Sequence, residues 1–368
     1  IHGRELEEEH LVNVPNWLPV DVRLGEGPWW STGEIDVLDD RSDLDLRRGV
    51  LTRRATLLSP EGNQVAVVQR RLVSMDNAHL AALETTVTAQ GFDGPVSILA
   101  GIDARVANTN VRNYVGTGKT HLTDAVFSET DDNIVLCDVQ TNQSHVRIAV
   151  AVRTEFDGTD AKPRDPESGD GRHQRQFNLH LVDGERVTTT KTAALATSRD
   201  AAISSPGVAV LEELGRNGGG FDALLDGHEA AWRRLWDRFG ITLDADRQSQ
   251  LILNLHVFHV LQAISEHTMT LDAGVTARGL NGEGYRGHVF WDELFVMPVI
   301  GSRLPQVSRA LLEYRWQRLD AARAAAREQG LKGALFPWQS GSDGREETPR
   351  WIYNTRSARW MPDNSSRQ

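Results

Sequence analysis

The chain has 368 residues, of which 39% are hydrophobic and 25% charged, as expected of a globular protein with two or three domains. Its formal net charge of −11 argues against nucleic-acid binding, which needs a basic surface, and no apolar run approaches the roughly 18–20 residues that span a bilayer. The single cysteine, Cys137, excludes an internal disulfide and a cysteine-based zinc cluster, and it favours a cytoplasmic location.

The first part of the chain has the pattern of β-strands. Short stretches of alternating apolar and polar residues recur, as in residues 64–74 and 144–153, and turn sequences such as residues 60–63 separate them. Many short strands without intervening helices are typical of an antiparallel β-sandwich. The Asp-, Pro- and Gly-rich segment 157–176 interrupts the pattern, and we predict that it is a long exposed loop.

The apolar period changes after the glycine-rich segment 216–220. Residues 221–239 place apolar side chains on one helical face, and Gly240 ends that pattern. A second helix is predicted over 246–267 and a third over 305–330, which opens with a proline and closes with a glycine. The second half of the chain is therefore predicted to be helical.

Two motifs resemble ligand sites but are better explained by a structural role. Residues 116–120, Gly-Thr-Gly-Lys-Thr, lack the first glycine of the Walker pattern because Asn113 stands in its place, so a hairpin turn is predicted. His256 and His259 have a spacing that can serve a metal, but no carboxylate accompanies them on that face. We predict packing histidines there, no metal site and no cofactor.

Three clusters in the helical half each place a tryptophan beside hydrogen-bonding side chains. They cover residues 277–298, 335–349 and 359–366. Sugar recognition needs this combination, because a ring face stacks on the sugar while polar groups bind its hydroxyls. Tryptophan-anchored structural loops are the alternative explanation. Three such clusters in one helical region favour a sugar-binding pocket.

These clusters carry a resemblance to a known family. Residues 282–293, Gly-Glu-Gly-Tyr-Arg-Gly-His-Val-Phe-Trp-Asp-Glu, and 336–340, Phe-Pro-Trp-Gln-Ser, resemble glycoside hydrolase family 65. That family contains inverting phosphorylases of trehalose, maltose, kojibiose or nigerose, and acid trehalases. Residues 12–18, 44–51 and 70–75 resemble its leading domain, so the resemblance covers nearly the whole chain.

The resemblance implies a multidomain fold in which β-structure precedes helices. An N-terminal antiparallel β-sandwich domain is expected over residues 1–215 and a linker helix over 216–243. The first part of an (α/α)6 catalytic barrel is expected over 244–368. Because twelve helices of about 12 residues with loops of about 5 need roughly 200 residues, we expect a truncated barrel and a chain that is a fragment of a longer protein.

The same resemblance implies a set of sugar-binding residues. Trp291 and Asp292 would line the subsite of the transferred glucose, where Asp292 accepts hydrogen bonds from hydroxyls. Trp338 would contact the same sugar, and Gln339 would lie near the leaving sugar. For the remaining candidates a pocket-shaping role and a purely structural role are both open: Tyr285, Arg286 and His288.

The activity implied is inverting phosphorolysis of an α-linked glucose disaccharide to β-glucose 1-phosphate and a free sugar, with inorganic phosphate as co-substrate. The general acid is expected to be a Glu beyond Gln368, so no catalytic residue is assigned, and the chain alone is expected to be inactive. Many members have Glu in place of Gln339 and Thr in place of Glu293, which leaves the acceptor sugar open.

Two alternatives are kept. One is an inverting hydrolase of the same family, similar to a trehalase, and the other is a non-catalytic sugar-binding or structural module of a larger polypeptide. The family often forms dimers, so a homodimer is a further expectation. The expected partners are a disaccharide and phosphate, with neither nucleic acid nor a membrane.

Overall fold

A computed structural model of the chain describes residues 8–111, 118–130, 133–158, 161, 163–164, 167–216, 220–279, 283–354 and 356–362. The chain divides into two compact units. The sandwich unit comprises residues 13–107 and 120–237, and the helical unit comprises residues 1–12, 108–119 and 238–368. No described helix is long and apolar enough to cross a membrane.

The described part of the sandwich unit contains twelve strands. They are β1 Val20–Leu24, β2 Asp36–Asp45, β3 Val50–Leu58, β4 Gln64–Val73, β5 Leu80–Gln90, β6 Gly94–Asp103, β7 Val126–Thr130, β8 Ile134–Gln140, β9 Arg147–Phe156, β10 Glu167–Gly169, β11 Arg172–Leu181 and β12 Arg186–Thr197. Eight form a large sheet in the order β2-β3-β4-β5-β12-β9-β8-β7, and four form a small sheet in the order β1-β6-β11-β10. Every pairing between neighbouring strands is antiparallel.

The two sheets pack face to face. Alternate residues of a strand point to opposite faces, so one set from each strand enters the core. Val67 and Val87 of the large sheet lie in one buried apolar cluster with Val22 and Ile98 of the small sheet. The predicted antiparallel sandwich is therefore present.

Two helices cover the outer face of the large sheet. They are α1 Pro206–Arg216 and α2 Gly220–Phe239. Leu214 and Phe221 of these helices share a buried cluster with Ala149 and Ala151 of β9, whose neighbours Ile148 and Val150 face the small sheet. Because both faces of β9 are buried, its sequence is a continuous apolar run.

The predicted loop 157–176 is wrong from residue 167 onward, since Glu167–Gly169 form β10 and residues 172–176 belong to β11. Its inward residues are polar, which hides the alternation: His173 and Arg175 are buried. Both bond to the carboxylate of Glu129 on β7, with Arg175 Nε 3.0 Å from Oε1. The paired charges satisfy one another, so this strand is buried without an apolar pattern. Helical structure also begins earlier than predicted, at Pro206.

The helical unit contains four described α-helices and two short strand pairs. The helices are α3 Arg247–Ala263, α4 Glu293–Arg303, α5 Pro305–Gln317 and α6 Leu319–Glu328. The strands are β13 Val289–Phe290, β14 Gln339–Ser340, β15 Trp351–Asn354 and β16 Arg359–Pro362, and β13 pairs with β14 and β15 with β16. Asp246 caps α3, because its side chain accepts hydrogen bonds from the N–H groups of Gln248 and Ser249.

Three helical predictions need correction. The predicted helix 305–330 is two helices that meet at Arg318, whose guanidinium donates to the carbonyl of Tyr314, the group that its own N–H would bond in a continuous helix. On α3 the predicted apolar side is buried at Phe258 but not at Leu251, which is 55% exposed. His256 and His259 are exposed and do not pack in a core. The helix α4 was not predicted, and residues 116–117 of the glycine motif lie outside the described residues.

Lys191 is a buried cation in the sandwich core. It lies on the inward face of β12, two residues from the core residue Ala193, and is 0% exposed. Its Nζ donates hydrogen bonds to the carbonyl oxygens of Pro19, at 2.9 Å, and Gly101. Burial lowers the pKa of Lys191 to about 7, because a low-dielectric interior disfavours the charged form.

We expect the stability of the chain to rise with pH above neutrality because of Lys191. Between pH 7 and the ordinary lysine pKa of 10.5, the unfolded chain holds a proton that the folded chain has lost. The free energy of unfolding should therefore increase by about 2 kcal/mol between pH 7 and 9. Urea unfolding of Lys191→Met should show no such rise, and the exposed Lys332→Met should retain it. A rise that persists in Lys191→Met would contradict this assignment.

Candidate sugar-binding site

A left-handed turn positions the motif of the helical unit. In the 3-10 turn Gly284–Gly287, Tyr285 and Arg286 have φ values of 56° and 58°, and Gly287 has a φ of 73°. Left-handed backbone is unfavourable for residues with a Cβ, so contacts must hold it in place. As a result Tyr285 is exposed while its neighbour Arg286 is buried.

Arg286 is held by the N-terminal segment. Its Nη1 lies 2.7 Å from Oε2 of Glu8, and its Nη2 donates to the carbonyl of Glu347 at 3.3 Å. Burial by itself raises the pKa of the Glu8 carboxyl, but hydrogen bonding to His10 and the charge of Arg286 outweigh it and lower the pKa to about 2. The N–H of Leu11 also donates to the carbonyl of Arg286 at 2.8 Å. This segment therefore clamps the strained turn.

The pairing of β13 with β14 joins two of the three tryptophan clusters. Phe290 is the partner of Gln339 in this ladder, so the residues just outside it, Trp291 and Trp338, become neighbours. Their ring centroids are 5.6 Å apart with an interplanar angle of 42°. The ring of Tyr285 lies 4.6 Å from that of Phe290. The two motifs thus build one aromatic surface.

This surface is open to solvent. Trp291 is 40% exposed and Trp338 is 38% exposed, which is unusual for side chains of this size. Asp292 is exposed directly after Trp291, and its carboxylate makes no hydrogen bond with any described residue. Two ring faces and an unengaged acceptor are the chemistry that binds a sugar.

A buried polar network lies behind the aromatic surface. Nε2 of Gln339 lies 3.0 Å from Nδ1 of His288 and 3.2 Å from the carbonyl of Glu347, while Nε2 of His288 lies 2.7 Å from the carbonyl of Glu9. A carbonyl only accepts, so His288 donates from Nε2 and accepts at Nδ1. Burial lowers the pKa of His288, which agrees with this neutral form.

The predicted site residues therefore fall into two groups. Those open to solvent are Tyr285, Trp291, Asp292 and Trp338. Those buried and bonded to protein groups are Arg286, His288 and Gln339. Trp360 of the third cluster contacts Tyr353 across the β15–β16 hairpin, with ring centroids 5.5 Å apart. Residues 363–366 of that cluster lie outside the described residues.

The carboxylates near the site are engaged in structural contacts. Glu293 accepts hydrogen bonds from Arg315 Nε and from the N–H of Val275, both at 3.0 Å. Glu346 accepts from the N–H of Trp338 at 2.7 Å. Arg345 lies 2.6 Å from Glu347. These carboxylates brace the ring surface, and Glu346 in particular holds the backbone of Trp338.

Glu8 and Glu9 also contribute to this site, although no motif in the sequence marks them. The carboxylate oxygens of Glu9, Asp343 and Glu347 lie within 4.8 Å of one another. Arg345 also contacts Asp343, at 3.2 Å, so a side-chain cation already compensates this group. No local sequence pattern marks Glu9, because its carbonyl accepts a hydrogen bond from His288, which lies 279 residues away in the chain.

Two domains of one known family match consecutive parts of the chain. Residues 1–235 match the domain described as glycosyl hydrolase family 65, N-terminal domain, and residues 254–368 match the family 65 central catalytic domain. An uncharacterized glycosyl hydrolase of Mycobacterium tuberculosis is 42% identical over 372 residues, which cover 100% of this chain and 28% of that protein.

Relatives that are named for an enzyme activity are less similar to this chain. A kojibiose phosphorylase of Halothermothrix orenii is 30% identical over 94% of this chain and 44% of that protein. A trehalose 6-phosphate phosphorylase of Lactococcus lactis is 30% identical over 100% of this chain and 46% of that protein. The chain thus spans less than half the length of the curated relatives it matches.

A solved structure supports the fold. A protein described as a kojibiose phosphorylase from the human microbiome superposes with a TM-score of 0.78 at 19% identity, over 92% of this chain and 43% of that one. At this identity the likeness concerns the fold alone. It agrees with an antiparallel sandwich followed by a helical region consistent with the start of an (α/α)6 barrel.

Proposed function

The chain belongs to glycoside hydrolase family 65, and from this premise we propose that its protein cleaves an α-linked glucose disaccharide of the trehalose, maltose or kojibiose type by inverting phosphorolysis. The products are β-glucose 1-phosphate and a free sugar, and inorganic phosphate is the co-substrate. Relatives named kojibiose and trehalose 6-phosphate phosphorylase, at about 30% identity, support the reaction class. The exposed ring pair of Trp291 and Trp338 beside Asp292 is the observation that carries the proposal.

In this proposal the exposed residues bind the transferred glucose. The ring faces of Trp291 and Trp338 stack on the apolar faces of the sugar. The unengaged carboxylate of Asp292 accepts hydrogen bonds from its hydroxyls, and a charged acceptor makes these bonds strong. Gln339 and His288 act as positioning residues, because their mutual hydrogen bond ties β14 to the turn before β13.

The chemistry is a single displacement. A carboxylic acid protonates the glycosidic oxygen while a phosphate oxygen attacks the anomeric carbon from the opposite face. The bond from that carbon to the glycosidic oxygen breaks as the bond to phosphate forms, which inverts the configuration. Glu293, Glu346 and Glu347 are committed to protein contacts, so the proposal assigns none of them as the acid.

The reaction can be tested on the intact protein in which this chain occurs. It would be incubated with trehalose, maltose or kojibiose, with and without inorganic phosphate, and glucose and β-glucose 1-phosphate would be separated. Phosphate-dependent formation of the sugar phosphate is expected. Equal release of glucose without phosphate would replace the proposal by an inverting hydrolase, and neither product would leave a sugar-binding or structural module. The homodimer and the cytoplasmic location stay predictions.

Removal of one ring should weaken sugar binding. We expect Trp338→Ala to lower kcat/KM by about fivefold, because stacking on an aromatic face contributes roughly 1 kcal/mol beyond the buried area. Trp316→Ala is the matched control, since Trp316 is an exposed tryptophan of α5 outside the aromatic surface. Steady-state kinetics of the two variants checks this, and equal losses would argue against a role for the Trp291–Trp338 pair.

A further inference from the structure

The inward face of the large sheet changes from apolar to polar along its strands. One row across neighbouring strands contains Ala55, Val67 and Val87, all in the core. Two residues further along these strands, the same face carries Arg53, Gln69 and Thr85. Ser42 of β2 pairs with Arg53 and continues this row. The next row contains Leu51, Arg71 and Leu83. In these rows Ser42 and Arg71 are exposed and Arg53 and Gln69 are half-buried, so this part of the face is available to polar groups from solvent.

A groove opens at these polar rows. Its volume is about 680 Å³, within the range of small-molecule sites of roughly 300–1,000 Å³. The floor comes from strands β2 to β5, and one side comes from the segment that leads into β1. Its lining residues with hydrogen-bonding side chains are Asn16, Asp40, Ser42, Arg53, Gln69 and Arg71.

One positive charge in the groove is unbalanced. Arg53 is neutralised by Asp40 through two hydrogen bonds of 2.9 and 2.6 Å, and its guanidinium lies 4.3 Å from the ring centroid of Trp30. Arg71 has no carboxylate partner among the described residues. Arg71 is exposed, and partial desolvation together with the nearby charge of Arg53 lowers its pKa. An anion at this position would relieve that repulsion.

We propose that this groove binds a phosphorylated sugar, with the phosphate on Arg71 and the sugar hydroxyls on Asp40, Ser42 and Gln69. A guanidinium presents paired N–H donors that match two oxygens of a phosphate. The acceptors and hydroxyl of the other three side chains suit a polyol, and the volume suits one or two sugar rings. The proposal depends only on residues of the sandwich unit and goes beyond the cleavage reaction.

Calorimetric titration of the full chain tests the proposal. The probes are glucose 1-phosphate, inorganic phosphate and glucose. We expect glucose 1-phosphate to bind more tightly than phosphate, and glucose to bind least. Arg71→Gln should weaken glucose 1-phosphate binding by about tenfold or more, because a hydrogen-bonded charge pair is lost. Asp40→Asn should strengthen phosphate binding, since it leaves Arg53 without its counter-charge.

Arg54→Gln is the matched control. Arg54 directly follows Arg53 on β3, so its side chain points to the opposite face of the sheet. It pairs there with Asp43 at 2.9 Å. Its variant should bind within twofold of the unaltered chain, and thermal unfolding should show all variants folded. The proposal is overturned by absence of binding, by equal loss in Arg54→Gln and Arg71→Gln, or by binding that Asp292→Asn abolishes and Arg71→Gln leaves intact. The last result would place the ligand in the helical unit.

Discussion

Asp292→Asn is expected to lower kcat/KM for the disaccharide by about a hundredfold or more in the intact protein. The carboxylate is exposed, follows Trp291 directly and makes no hydrogen bond with the described residues, so it is available to two sugar hydroxyls. Each hydrogen bond to a charged group contributes roughly 1.5–3 kcal/mol, and two of them correspond to a hundredfold or more. The amide keeps the shape of the side chain and removes its charge.

The control is Asp320→Asn on α6, an aspartate whose ion-pair partner among the described residues is Arg323 on the exposed face of the same helix. The activity of Asp320→Asn should be unchanged, because exposed ion pairs contribute little to stability. Thermal unfolding of Asp292→Asn should match that of the unaltered protein, since no described protein partner is lost. Retention of kcat/KM within twofold by Asp292→Asn would remove this residue from the sugar site.

Gly287→Ala is expected to destabilise the helical unit by about 2–5 kcal/mol. Gly287 has a φ of 73°, where a Cβ costs roughly 1–2 kcal/mol. The added Cβ would also overlap the Cβ of Leu11, and relief of such a clash in a packed region costs about 1–3 kcal/mol. Movement of Leu11 would loosen the segment that clamps Arg286, so sugar binding should fall with stability.

Gly330→Ala separates the two effects. Gly330 has nearly the same φ, 71°, but no heavy atom of a described residue lies within 4 Å of an added Cβ. Its variant should lose only about 1–2 kcal/mol of unfolding free energy. Urea unfolding of both variants measures the difference. If Gly287→Ala and Gly330→Ala lose the same amount, the contact with Leu11 has no energetic importance.

Much of the candidate site could be predicted because it is local in sequence. Trp291 and Asp292 are adjacent, and Trp338 and Gln339 are adjacent, so both motifs can be recognised without coordinates. Their roles differ in a way that sequence could not show. Gln339 lies on the buried side of β14 and donates to His288, whereas Trp338, one residue earlier, is exposed. The pairing of β13 with β14 decides this, because both residues of β14 are buried and Trp338 lies just outside it, and a two-residue strand is too short to predict.

The sequence by itself determined the fold class, the order of strands before helices, and the residue types of the candidate sugar site, while the first helix begins at Pro206, before the predicted boundary. Local periodicity and short motifs carry those properties. Only the tertiary structure decided that Glu8 and Glu9 clamp the turn at Arg286, and that Arg71 and Asp40 share one groove. Residues far apart in the chain meet through strand register and packing. Because long-range pairing sets those contacts, the local pattern of residues does not reveal them.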